Sequence, residues 1–351
     1  MIDYIRVGRT GKLATITWVL GNYCNWDCSY CWPATHKGDV PMPKWTDDYN
    51  DNLKHIIKQF KGYTLRWVLT GGEPTLYSDI RKMVTTIREA SPDSEIICQT
   101  NASRTVRWWQ DNCDLFDGIW LTAHTEFTDI EHTIKVMETC LASTNNSYQK
   151  NYSISFNLAA HPKDPIKVKG IVDRLKLWVD SNPTNNRLRL MIKPLDMGRY
   201  KPGDGEYEMY NYGYMYKRYI EEVNSKPFQS QYSTKNTTIQ HVIETEDGTV
   251  TPTTGERIIA SNPRYPNWLC NAHKEWLMID KNGDLSINCG FPVYDREYNF
   301  YEPHAKFKTF SIPEKSITCD GRACQCLGLY LTSKINNSNY NVEKYPEFKN
   351  E

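Results

Sequence analysis

The chain has 351 residues, 39% hydrophobic and 24% charged, which is enough to bury a sizeable core and excludes a disordered or low-complexity chain. Lys+Arg and Asp+Glu each number 42, so the formal net charge is zero and no global field draws the molecule to nucleic acid or an anionic membrane. No apolar stretch approaches the roughly 20 residues needed to cross a bilayer, and the opening MIDYIRVGRTGKLATITWVL lacks a signal-peptide layout, so a cytoplasmic location is expected.

From Ala14 to Leu195, short apolar runs alternate with longer amphipathic stretches. Strands are expected over 14–20, 65–70, 94–100, 118–124, 152–160 and 188–195. Helices are expected over 47–60, where Leu53, Ile56, Ile57 and Phe60 share one face, and over 78–90 with Ser78 as N-cap. Three more are expected over about 104–113, 129–141 and 166–180. This alternation predicts βαβ units on a parallel sheet, and the near-continuously apolar strands suit a sheet covered on both faces. Six units are too few for a closed eight-strand barrel. The expected fold class is α/β, an open partial (β/α)6 barrel followed by a small C-terminal Cys-rich hairpin and loop domain.

In such a sheet, chemistry gathers at the carboxyl ends of the strands. Polar residues cluster there: Asn22 and Cys24 after the first strand, Gly71-Gly72-Glu73-Pro74 after the second, Gln99, Thr100 and Asn101 at the third, Thr122, His124 and Glu126 at the fourth, and Lys193 in the sixth. Residues 196–268 are rich in Tyr, Gly, Asn, Thr and Pro, with a helix expected over 210–223 and a hairpin around Glu246–Gly248. From about Asn267 a cysteine-bearing unit follows, with a hairpin in WLMIDKNGDLSINC turning at Asn282-Gly283. The polar tail beyond Cys326 is expected to be loosely held. The chain thus divides into a barrel (1–200), a connector placed to cover the barrel mouth (201–266), and a Cys-rich unit with its tail (267–351).

Eleven cysteines are many for a cytosolic chain, where disulfides are disfavoured. Cys98, Cys113 and Cys140 are scattered and read as small buried apolar residues. The other eight form two groups: Cys24, Cys28 and Cys31, then Cys270, Cys289, Cys319, Cys324 and Cys326. The first group, in CNWDCSYCW, has C-x3-C-x2-C spacing. Structural zinc sites and iron–sulfur clusters ordinarily take four protein ligands. No fourth Cys follows closely, and the nearest His, His36, sits in a Pro/Lys/Gly loop. Three protein ligands leave a coordination position open, which marks a catalytic rather than a structural metal. In the Gly71-Gly72-Glu73 stretch, paired glycines let backbone approach a ligand, and a carboxylate can accept bonds from an α-ammonium group.

The C-x3-C-x2-C run, with the aromatic Tyr30 before its last Cys and a place after the first strand of a βα repeat, resembles the radical S-adenosylmethionine (radical SAM) superfamily. Gly71-Gly72-Glu73-Pro74, ending the second strand, resembles that superfamily's GGEP motif. The resemblance implies a [4Fe–4S] cluster on Cys24, Cys28 and Cys31 with Tyr30 beside it, and S-adenosylmethionine on the open iron with its methionine part held by Gly71, Gly72 and Glu73. It also implies reductive cleavage to methionine and a 5′-deoxyadenosyl radical, which abstracts hydrogen from a C–H bond. The reductant is expected to resemble flavodoxin or ferredoxin, and the substrate to be a peptide, a protein side chain or a small molecule. Gln99-Thr100-Asn101-Ala102 resembles the QTNG stretch of the anaerobic sulfatase-maturating branch, with Ala in place of Gly, which implies that Asn101 lies near S-adenosylmethionine. His124 and Glu126 follow the fourth strand, where the family often contacts ribose or substrate; a structural histidine is the competing reading. Lys193 reads either as a contact for an anionic substrate group or as the partner of a neighbouring carboxylate.

Cys270, twelve residues, Gly283, five residues and Cys289 resemble the opening of the SPASM/Twitch auxiliary-cluster domain, with one residue more than usual after the glycine. The five C-terminal cysteines fall short of the full SPASM set, which implies a Twitch-like unit with one auxiliary [4Fe–4S] cluster. Cys319, Cys324 and Cys326 complete the candidates, with Cys324 and Cys326 preferred; a zinc ribbon on the same residues is the alternative. Two further alternatives stand: a radical SAM enzyme acting on a nucleotide or nucleic acid, suggested by RTVRWWQD (104–111), and a non-catalytic zinc or iron–sulfur binding module.

Overall fold

The apolar runs become strands in the expected order. The computed structural model describes residues 4–31, 38–41, 43–143, 152–181, 188–201, 206–209, 211–225, 241–253, 258, 265–286, 298–319 and 332–348. After β1 (Arg6–Arg9) come β2 (Leu13–Val19), α1 (Asp47–Gln59), β3 (Thr64–Thr70), α2 (Ile80–Ala90), β4 (Glu95–Thr100) and α3 (Val106–Asn112). They are followed by β5 (Gly118–His124), α4 (Ile130–Ala142), β6 (Ser153–Ala160), α5 (Pro165–Ser181) and β7 (Leu188–Pro194). β2 to β7 pair in parallel, each with the next in the chain. Among the described residues the sheet keeps two edges, as a partial (β/α)6 barrel must. Its core includes Trp18, which touches Trp45, Trp67 and Phe300, the last at 4.5 Å between ring centres. Burying each such aromatic contributes about 1.5–3 kcal/mol.

The helices bury the faces that their spacing predicts. Leu53, Ile56 and Phe60 are buried and Ile57 is half-buried. Asn52 of α1 is buried as well, because its amide donates to the Phe300 and Glu302 carbonyls at 2.8 and 2.9 Å. The expected N-cap of α2 is corrected from Ser78 to Asp79. The Asp79 carboxylate accepts from the Trp45 N–H at 3.0 Å and makes no side-chain bond to its own helix.

β8 (Asp196–Lys201) and β9 (Glu206–Met209) form a separate hairpin, and α6 (Tyr214–Ser225) packs on β7. The hairpin expected around Glu246–Gly248 is β10 (His241–Glu244) and β11 (Val250–Thr253). The remaining elements are β12 (Trp268–Cys270), α7 (Ala272–Glu275), β13 (Trp276–Ile279), β14 (Leu285–Ser286), α8 (His304–Phe307), β15 (Ile317–Thr318) and β16 (Lys334–Asn336). β13 and β14 are the expected hairpin, and β13 also adds in parallel to β2, extending the barrel sheet. At its turn Gly283 holds φ +88°, and a Cβ there would meet Tyr301 and Asn299 at 2.5 and 2.4 Å. Glycine alone satisfies both limits.

A second sheet runs β11-β10-β1-β16-β12-β15, antiparallel throughout. It therefore joins the N-terminal strand, the hairpin of the connector and the C-terminal strands. Alternation along β12 divides its two cores. Trp268 and Cys270 face Val7, Tyr265 and Trp276, while Leu269 faces Ile335, Tyr345 and Phe348. The tail beyond Cys326 departs from expectation here. Instead of lying loose, Lys334–Asn336 is an interior strand between β1 and β12, and Tyr345 and Phe348 are buried.

Candidate active site at the barrel mouth

Every predicted residue of the first cluster site lies at the carboxyl edge of the parallel sheet. The loop after β2 carries the three cysteines, and its base is stapled by Asn22. That side chain is fully buried; its amide donates to Asp39 and its oxygen accepts from the Val40 N–H at 3.0 Å. Under the loop lies the Gly71-Gly72-Glu73 segment. The Glu73 N–H donates to the Tyr23 carbonyl at 2.8 Å, and the Gly72 N–H to the Gly21 carbonyl at 3.3 Å. A Cβ on Gly72 would stand 2.1 Å from the Tyr23 oxygen. In the described structure, these glycines thus admit the cysteine loop's own backbone.

Glu73 is 1% exposed, and its carboxylate accepts four bonds: from the Thr75 N–H at 3.0 Å, the Thr75 hydroxyl at 2.5 Å, the Thr100 hydroxyl at 2.8 Å and the Asn101 N–H at 2.7 Å. Burial raises its pKa against these four donors. The carboxylate expected to meet an ammonium group is thus committed to binding the end of β3 to the end of β4.

Asn101 sits beside Cys24. Its amide points to the Cys24 sulfur at 3.8 Å and to the Asn25 side-chain oxygen at 3.2 Å, while its own oxygen accepts from the Ser103 N–H at 2.9 Å. Ala102, the substitute for glycine, holds φ +58°. On the other flank, Glu126 accepts from the Ser29 N–H at 2.8 Å and the Ser29 hydroxyl at 2.5 Å. Burial pushes the Glu126 carboxyl up, but these Ser29 donors outweigh it and the net shift is downward. The Tyr30 hydroxyl and His124 Nδ1 are 2.8 Å apart, with the two rings stacked at 5.8 Å. Burial holds His124 down at about 4, so its ring is neutral near pH 7. His161, after β6, completes this side at 3.7 Å from Glu126. Its place at a strand's carboxyl end is the signal by which the sequence reading would have found it.

Cys28 is buried, and Cys24 and Cys31 are partly so. Burial, the neighbouring thiols and Glu126 push Cys28 up to about 12, and burial raises Cys24 too. Three thiolates packed this way repel one another, and a cationic iron centre offsets that repulsion. Among the described residues no three His, Cys, Asp or Glu side chains converge as the ligands of one ion would. Thiolates that each hold a different iron of a cluster need no such convergence, so three cysteine thiols are a donor set that a cluster can take. His36 lies outside the described residues.

Residues 18–120 match the family model described as the Radical SAM superfamily. The chain carries a radical SAM domain. With it come S-adenosylmethionine-dependent radical chemistry and a [4Fe–4S] cluster. The matched span of the radical SAM domain holds the cysteine loop, the GGEP segment and Asn101, and stops short of His124 and Glu126. No curated protein sequence matches the chain. Among solved structures, the chain is similar to native anSMEcpe with bound AdoMet, at 14% identity over 96% of this chain and 95% of that one, TM-score 0.47. It is also similar to SuiB of Streptococcus suis bound to S-adenosylmethionine, at 12% identity over 86% and 66%, TM-score 0.37. A third is BtrN in complex with AdoMet and 2-DOIA, at 12% identity over 85% of each chain, TM-score 0.37.

Away from the radical SAM domain, β12 and β15 bring two of the C-terminal cysteines together. The Cys319 N–H donates to the Trp268 carbonyl at 2.8 Å, and the Asn267 N–H to the Cys319 carbonyl at 2.9 Å. Cys319 therefore opposes Trp268, on the face that also carries Cys270, and both sulfur-bearing side chains join one apolar cluster. Cys289, Cys324 and Cys326 lie outside the described residues. Cys98, Cys113 and Cys140 are core residues, as expected. Lys193 is half-buried in β7, in register with Ala159. No described helix is long and apolar enough to cross a membrane.

Proposed function

We propose that this chain is a radical SAM enzyme that abstracts a hydrogen atom from a peptide, a protein side chain or a small molecule. One observation carries the reading: the C-x3-C-x2-C loop is seated on the GGEP backbone, with Asn101 against Cys24 on one flank and His124 against Tyr30 on the other. Cys24, Cys28 and Cys31 would hold the catalytic cluster. When bound, the cluster and S-adenosylmethionine supply an electron and a 5′-deoxyadenosyl radical. The protein's part is orientation and the exclusion of water. Gly71, Gly72 and Asn101 line the methionine side, with the buried Glu73 setting the spacing between them. Tyr30 and His124 present an uncharged, stacked pair where a ribose or adenine would lie. A flavodoxin- or ferredoxin-like reductant and a cytoplasmic location complete the reading.

Cys270 and Cys319, two residues apart in register on one face of the sheet and in the same apolar cluster, support an auxiliary cluster on a Twitch-like unit with ligands drawn from these two and Cys289, Cys324 and Cys326. That shared face favours Cys319 more than the spacing did. Parts of the feature behind the nucleic-acid reading are engaged within the chain. Trp109 is buried, Arg104 lies over Trp108 and donates to the Thr75 carbonyl at 3.1 Å, and Arg107 pairs with Asp111 at 3.0 Å. A zinc-only binding module does not account for the radical SAM match over residues 18–120.

The test is anaerobic turnover of reconstituted, reduced protein with S-adenosylmethionine alone. The expected result is release of 5′-deoxyadenosine, abolished in Cys28→Ala. Release that persists in that variant rejects the site. Metal analysis gives a second reading: about eight irons per chain with matching sulfide is expected, and zinc without sulfide rejects the proposal.

A further inference from the structure

The turn after β4, which carries Asn101, is held by a histidine from the helix beyond the next strand. His132 stands in the first turn of α4, where the Asp129 carboxylate caps the helix by accepting from the Glu131 and His132 N–H groups at 3.0 and 3.2 Å. From this fixed base His132 Nε2 reaches back to the Ala102 carbonyl at 3.2 Å and the Arg104 carbonyl at 3.0 Å. A carbonyl oxygen only accepts, so Nε2 carries a proton and donates to both. One ring thus ties together the carbonyls on either side of Ser103.

The turn so tied is strained and touches the cysteine loop. Ala102 is fully buried at φ +58°, a backbone region that L-residues avoid, and its N–H is bonded to the Thr100 hydroxyl at 2.9 Å. With the His132 bond to its carbonyl, it is held at both ends. The residues flanking Ala102 both meet the cysteine loop. The Asn101 amide lies 3.8 Å from Cys24 Sγ and donates to the Asn25 side-chain oxygen at 3.2 Å. The Ser103 hydroxyl accepts from the Asn25 amide at 2.9 Å and donates to its oxygen at 3.1 Å. Without the His132 bonds the turn is free to relax toward ordinary backbone, and Asn101 and Ser103 swing with it.

We propose that His132 is a positioning residue for S-adenosylmethionine, clamping the turn after β4 so that Asn101 is presented to the cofactor in its binding geometry. This rests on the reading of Asn101 as lining the methionine side of the site. Among the described residues His132 bonds to none of the three cluster cysteines, so it acts through the turn alone. Its contribution is preorganisation: the turn is ordered before the cofactor arrives, and binding free energy is not consumed in ordering it.

The experiment is anaerobic equilibrium dialysis of S-adenosylmethionine against the reconstituted full chain, with iron content and urea unfolding measured on the same samples. His132→Phe keeps the ring and loses the donor. It is expected to weaken S-adenosylmethionine binding about tenfold with iron content unchanged. His132→Gln offers an amide N–H at similar reach and is expected to recover most of that affinity, which a role in packing alone would not produce. A His132→Phe chain that is less stable but binds S-adenosylmethionine as the unaltered protein does overturns the clamp, as does a glutamine variant no better than the phenylalanine one. Asn101→Ala separates the two readings: it is expected to weaken binding at least as much as His132→Phe. Unchanged affinity in Asn101→Ala, or an unaltered protein that does not bind S-adenosylmethionine, overturns the reading of the site and the clamp with it. Should His132→Phe fail to fold, His132→Asn, whose amide is too short to span both carbonyls, takes its place with the same expected loss.

Discussion

At Ala102 the chain accepts a conformation that suits glycine. The residue is fully buried at φ +58°, its N–H bonded to the Thr100 hydroxyl at 2.9 Å and its carbonyl 3.2 Å from His132 Nε2. Left-handed backbone costs an L-residue about 1–2 kcal/mol, and glycine gives back about 0.4–1 kcal/mol through its looser unfolded chain. Ala102→Gly should therefore stabilise the protein by about 0.5–1 kcal/mol, read from urea unfolding; a loss of stability would show that the Cβ contacts outweigh the strain. The C-x3-C-x2-C spacing of Cys24, Cys28 and Cys31 was legible directly, since spacing is a property of the sequence alone. The role of Glu73 was not. Its residue type suits an ammonium partner, but its bonds to Thr75, Thr100 and Asn101 exist only once β3 and β4 lie side by side.

At the scale of elements, the cysteine loop is held by contacts to the ends of other strands. Asn101 reaches it from the end of β4, and Glu126 from the loop after β5, through two bonds to Ser29. Ser29 lies between Cys28 and Cys31, so Glu126 fixes the turn on which both thiols are borne. Glu126→Ala should leave the fold intact and loosen the cluster: iron should be lost to a chelator about 10-fold faster, followed by the bleaching of the cluster's absorbance. Unchanged bleaching would mean that the turn holds its shape unaided. The strands and helices themselves were legible, because alternation and 3.6-residue periodicity survive in any packing. The cap of α2 was misplaced by one residue because Asp79 is claimed by Trp45, a long-range contact that no local pattern records.

At the scale of the molecule, two sheets share a chain that crosses between them at both ends of the sequence. β1 enters the second sheet before β2 enters the barrel, and β12 leaves that sheet before β13 joins β2. The tail is clasped there by Glu244 of β10, which accepts from Lys344 at 2.7 Å and the Tyr345 hydroxyl at 2.8 Å and lies 3.5 Å from Arg6. Burial raises the Glu244 carboxyl, but Lys344, Tyr345 and Arg6 outweigh it and hold it below the usual range. A depressed carboxyl stabilises the fold above its unfolded pKa of about 4.3, and that contribution is lost as the pH falls through the lower folded value. Glu244→Gln should therefore cost about 1.5–3 kcal/mol at neutral pH, with the gap to the unaltered protein closing under strong acid. Urea unfolding at the two pH values reads both; an equal gap at each would place the stabilisation in packing rather than charge.

The sequence by itself determined the radical SAM domain, the six β/α units and the gathering of polar residues at one edge of the sheet, because these follow from residue spacing and from period, which are local. Tertiary structure alone decided the anchoring of the tail, the closing of Glu73 upon β4, and the reach of His132 to the turn after β4. Each joins segments far apart in the chain, and a contact of that kind has no local period to betray it.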